Sequence, residues 1–90
     1  MYYALFWSKI QLKLWVNRFK MKIFSERLKY ERTQKGFSQQ KMADMLKIPR
    51  GTYSHYELDN KDGREPPFEI VCQIAKIFDV PIDYLFGLID

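Results

Sequence analysis

Downstream of residue 23 the apolar positions fall into short stripes with the helical period, divided by turn-forming residues. Ser25 is a natural N-cap, and the segment after it, "ERLKYERTQK", runs to Gly36, a residue suited to closing a helix. Ser38 caps the next segment. Phe37 before that cap and Met42 inside the helix can meet as a hydrophobic staple, and Met42, Ala43 and Leu46 share one helix face. Pro49 is excluded from a helix interior but suits the first turn of a new helix, which covers "RGTYSHYE". After the polar loop "LDNKDGRE", Pro66 and Pro67 open a fourth helix that runs to about Phe78, and Pro81 opens a short fifth, "IDYLFG". No alternating apolar run with turn signals competes over this stretch, so the pattern predicts an all-α bundle.

The second and third helices, within residues 39–57, are joined by too little chain to fold back as a hairpin. A turn of about three residues holds two helices at roughly 90 to 120° to each other. One helix can then lie across a DNA backbone while its partner enters the major groove. The crossing needs a small residue where the axes approach, which Ala43 supplies, and inward apolar groups, here Met42, Leu46, Ile48, Tyr53 and Tyr56. The remaining face reads Arg50, Gly51, Ser54 and His55, short or hydrogen-bonding side chains able to meet base edges.

Charge adds to this picture. The chain has 90 residues and a net charge of +4, enough for one domain with one core. Residues 1–20 carry Lys9, Lys13, Arg18 and Lys20 and no acid, so the excess lies there. Within the balanced remainder, residues 25–56 hold seven bases against three acids, and residues 65–90 hold five acids against Lys76 alone. The basic end suits an anionic partner, although solvated helix faces produce a milder version of the same asymmetry. Cys72, the single cysteine, cannot form an internal disulfide; in the apolar run "EIVCQIAKIF" it reads as a buried, inert thiol of an intracellular, cytoplasmic protein.

Residues 24–87, "FSERLKYERTQKGFSQQKMADMLKIPRGTYSHYELDNKDGREPPFEIVCQIAKIFDVPIDYLFG", resemble the Cro/C1-type (XRE) helix-turn-helix family. The resemblance is carried by an ordered set of features. Gly36, an apolar residue and "SQ" are followed by Ala43 four positions after Gln39, an Ile just after the turn, "YE" at the end of the third helix, "REP" before the fourth, and "DYLFG". It implies a five-helix lambda-repressor-like DNA-binding domain over residues 24–90; the basic-aromatic arm over residues 1–23 lies outside the family pattern. It implies base contacts from Arg50, Gly51 and His55, which Ser54 joins from the open helix face, and phosphate contacts from Ser38, Gln39 and Thr52, with Gln39 also bracing the recognition helix. Lys41, and Lys61 and Arg64 in a loop about three residues longer than the family's, are further candidate phosphate contacts. Arg32 and Glu57 match an ion pair that in some members ties the first helix to the end of the third. The sequence departs from the family at Lys47, where glycine is usual, at Pro49, where Ser or Thr is usual, and at Gly51, which has no side chain to read a base.

Plainer roles compete for several of these residues. His55 alone makes no metal site, and an exposed helical histidine needs no function. Arg50 at a helix start opposes the dipole, so a phosphate or guanine is the expected compensation. Tyr53 and Tyr56 could stack on bases, but their spacing points inward. The sequence contains no paired carboxylates in a pocket-like context, nucleophile–base pair, P-loop or metal spacing, so no catalysis, cofactor or metal is expected.

Residues 1–20 hold both tryptophans and six of the fifteen aromatics. Their charge order is wrong for a secretory signal, and Lys9 and Lys13 oppose a bilayer span. Three readings stand: an arm that packs on the domain or on a dimer mate, a membrane-surface anchor, or an over-long reading frame whose start is Met21. Two functional classes follow. One is a sequence-specific regulator of transcription, a repressor that binds double-stranded DNA as a homodimer and has no effector domain attached. The other is an antitoxin-type interaction module whose arm holds a protein partner while the domain binds its own promoter.

Overall fold

The structure is a computed structural model that describes residues 21–60 and 62–90. Residues 1–20 of the basic-aromatic arm, with Trp7 and Trp15, fall outside these residues, and with them the expectations for what that segment packs on. Among the described residues the regular structure is helical: α1 through residues 21–34, α2 Gln39–Leu46, α3 Arg50–Tyr56, α4 Phe68–Phe78 and α5 Ile82–Leu85.

Helical spacing explains which residues meet. α4 buries Val71, Ile74, Ala75 and Phe78, the three-and-four repeat of one face. Phe24 and Leu28 of α1, Met42, Ala43 and Leu46 of α2, Tyr53 and Tyr56 of α3, and Leu85 of α5 close over it as one core. Each large aliphatic or aromatic side chain removed from water there contributes about 1.5–3 kcal/mol before ordering costs. Phe37 and Ile48, on either side of α2, pack against the same core and fix how the chain enters and leaves that helix.

Two sequence expectations change. Ser25 is not an N-cap: the chain is already helical at residue 21, and Ser25 lies buried inside α1 with its hydroxyl donating to Lys22 O at 3.0 Å. Such back-bonding within a helix satisfies a hydroxyl as well as capping does, so the residue type alone did not fix the boundary. Cys72 is half-buried, because it stands one residue off the buried stripe of α4.

Four helices end in the same way. After α1, Gly36 adopts φ +74° and the amides of Gly36 and Phe37 bond back to Thr33 O and Arg32 O. The ends of α2, α4 and α5 repeat this with Lys47, Asp79 and Gly87 in the left-handed region. At α1 and α5 the residue is glycine; at α2 and α4 an L side chain adopts a conformation that costs it about 1–2 kcal/mol.

Candidate nucleic-acid interface

The connection from α2 to α3 is Lys47, Ile48 and Pro49. Lys47 (φ 58°, ψ 43°) turns the chain, its amide bonding to Asp44 O, while Ile48 N bonds to Ala43 O at 3.0 Å. Pro49 is extended (φ −63°, ψ 147°), and its carbonyl accepts the first helical bond of α3 from Tyr53 N at 3.1 Å. Ala43 is fully buried at the start of this turn. Ser38 caps α2 by accepting a hydrogen bond from Lys41 N at 3.0 Å.

The inner side of α3 is held by one carboxylate. Glu57 accepts from Arg32 Nε at 2.6 Å and Arg32 Nη2 at 3.0 Å, from Tyr53 Oη at 2.6 Å and from Gln39 Nε2 at 3.2 Å. Arg32 also donates through Nη1 to Phe37 O at 2.9 Å. One network therefore joins α1, the turn before α2, the first residue of α2, and both the body and the end of α3. The Glu57 side chain is 3% exposed and that of Arg32 13%. Burial by itself pushes the Glu57 carboxyl up, but the bonds from Arg32, Tyr53 and Gln39, with the Arg32 charge, outweigh it and hold it below the usual carboxylate range. The Tyr53 phenol is pushed well up, first by burial and then by its bond to Glu57.

The outer side of α3 is open. Arg50 and Gly51 are exposed, and Thr52, Ser54 and His55 are half-buried. A Cβ at Gly51 would meet nothing within 4 Å. Ser54 donates to Gly51 O at 2.9 Å. His55 is not free: Nδ1 lies 2.9 Å from Asp62 O, and the loop after α3 closes on it with Arg64 N bonded to His55 O at 3.0 Å. Gly63 is required in this loop, since a Cβ there would come within 2.3 Å of Leu58 O.

The remaining candidates are dispersed. Ser38 and Lys41 are exposed on α2 and its cap, and Gln39 is half-buried with its amide turned to Glu57. Arg64 borders a shallow hollow with Met21, Phe24, Tyr56, Leu58, Glu65 and Phe86, which Arg50, Gly51 and Ser54 do not line. Lys61 falls outside the described residues. Sequence reasoning missed Tyr53 as a donor to Glu57, although the spacing of four on a helix was a legible signal. It also missed the Asp62 carbonyl, for which a backbone oxygen leaves no signal. Among the described residues no group of acidic, histidine or cysteine side chains is arranged to hold a metal ion, and no helix is long and apolar enough to cross a membrane.

A short-turned helix pair with one helix braced from within and open outside is the geometry of a helix-turn-helix. The helix-turn-helix family model matches residues 28–85, and the chain belongs to this family, in its Cro/C1 type, with a five-helix lambda-repressor-like domain. It is 48% identical over 63 residues to the uncharacterized HTH-type transcriptional regulator YqaE of Bacillus subtilis (strain 168), a match covering 70% of this chain and 52% of the relative. It is 43% identical over 63 residues to the SPbeta prophage-derived uncharacterized HTH-type transcriptional regulator YonR of the same strain, covering 70% and 56%. The HTH-type transcriptional regulator ImmR is 32% identical over 62 residues, covering 69% and 46%. The chain thus spans about half the length of the curated relatives it matches. No solved structure matches it.

Proposed function

We propose that the chain is a sequence-specific, double-stranded-DNA-binding regulator of transcription, cytoplasmic and without catalysis, that represses by occupying an operator. The observation that carries this reading is α3 itself: Glu57 and Tyr53 fix its inner side to α1 and α2, while Arg50 and Gly51 stand exposed on the outer side. In this reading residues 24–90 form the DNA-binding domain and residues 1–23 an arm that packs on it or on a second copy. Arg50, Gly51, Ser54 and His55 meet base edges, and Ser38, Gln39, Lys41, Thr52, Lys61 and Arg64 meet phosphates. The naming of its relatives as transcriptional regulators supports it.

One recognition helix of about two turns makes too few base contacts for operator-level discrimination, so two copies on half-sites about 34–36 Å apart are expected. Phe68, Leu88 and Ile89 are exposed apolar groups available for pairing. The test is selection of bound duplexes from a random pool, followed by titration over a salt series. A palindromic motif is expected, bound by two chains in sedimentation, with a log–log salt slope of about 0.9 per neutralised phosphate. Arg50→Ala should flatten preference at one position per half-site. Binding indifferent to salt, or a selected motif unchanged by Arg50→Ala, would contradict the reading.

A further inference from the structure

The α3–α4 loop returns a hydrogen-bonding group to the recognition helix. His55 Nδ1 lies 2.9 Å from Asp62 O. The loop is fixed there by Arg64 N to His55 O at 3.0 Å, by Gly63 N to Asn60 O at 2.9 Å, and by Asp62 N to Asn60 Oδ1 at 2.9 Å. A carbonyl oxygen only accepts, so the proton on this edge of the ring belongs to Nδ1. In the neutral imidazole Nε2 then carries the lone pair and can only accept. Gly51, one turn before His55, has no side chain, and the space where its Cβ would stand is open.

We infer that His55 is a specificity-determining residue: by holding its Nδ1 proton on the Asp62 carbonyl it presents Nε2 to the major groove as an acceptor. It thereby selects a base edge with an exocyclic amino donor, adenine N6 or cytosine N4. Guanine offers O6 and N7 and thymine O4, all acceptors, which would leave two lone pairs facing each other. This rests on the DNA-binding reading above.

The experiment has two arms. Without DNA, long-range proton–nitrogen spectra of the ring report the tautomer: a protonated Nδ1 and a bare Nε2 are expected, and the reverse would overturn the inference whatever the DNA result. With DNA, selection from a random duplex pool is run for the wild type, His55→Gln and His55→Lys, each checked for an unchanged fold by its circular dichroism spectrum. The wild type should favour adenine or cytosine at one position per half-site by about fivefold or more. His55→Gln, whose amide both donates and accepts, should relax that position alone, and His55→Lys, which only donates, should move it toward guanine. A motif unchanged in both variants, or a wild-type guanine preference that His55→Gln abolishes, would overturn the assignment. A wild type that retains no duplex from the pool would overturn the DNA-binding reading itself, and the assignment with it.

Discussion

Arg32 Nε stands 2.6 Å from Glu57 Oε2, and these two residues, 25 apart in sequence, join the first helix to the end of the recognition helix with little exposure to water. Removing one partner of a buried pair strands the other charge, at a cost of about 3–5 kcal/mol. In a domain this small that is a fall in Tm of more than about 12 °C. Arg32→Ala should show it in a thermal melt, and the double substitution Arg32→Ala with Glu57→Leu should recover much of the loss. A melting point equal to the parent's in the single variant would contradict the uncompensated-charge argument.

The same carboxylate sets an acid limit. The folded pKa of Glu57 is depressed, so its contribution is complete well above the unfolded value of about 4.3 and is lost as pH falls through the still lower folded value. Tyr53 has the opposite sign: its folded pKa is raised, so its contribution is present below about pH 10 and is lost as pH rises beyond that. Melting temperature against pH should fall on both sides of neutrality. The acid limb should be shallower in the Arg32→Ala, Glu57→Leu variant, and the alkaline limb shallower in Tyr53→Phe.

Lys47 turns the chain from α2 to α3 with φ at 58°. Glycine adopts that conformation without a Cβ penalty but loses more freedom on folding, so the two effects partly offset each other. Lys47→Gly should raise unfolding stability by about 0.5–1 kcal/mol, read as a higher urea midpoint at unchanged slope.

Gly51 has no positive φ and no neighbour within reach of a Cβ, so nothing in the folded chain requires glycine there. Gly51→Ala should stabilise the free protein by about 0.5–1 kcal/mol through helix propensity. If the backbone at this position approaches the groove closely, the same methyl should weaken duplex binding. Opposite signs in a melt and in a DNA titration are the expected result.

What the sequence determined by itself is the part of the fold written in local rules. Pro49, Pro67 and Pro81 each precede a helix, as the residue type predicts, but they stand as extended N-caps one position outside the first turn, because proline is barred from a helix interior. Ser38 caps α2, Gly36 closes α1, and the period of α4 marks its buried face. The inward side of α3 was legible as well, since Tyr53 and Tyr56 share the spacing of a core stripe. Tertiary structure decided what depends on groups distant in sequence or without a side-chain signature. Ser25 became a buried helix-interior residue because α1 continues upstream of it. Lys47 and Asp79 took left-handed closures that composition reserves for glycine, because the packed helices on either side fix where the chain must turn. Glu57 gathered Arg32 from one helix and Gln39 from another around its own neighbour Tyr53, and His55 found its partner in a backbone carbonyl of the following loop. A carbonyl is common to every residue, so only the path of the folded chain could select that one.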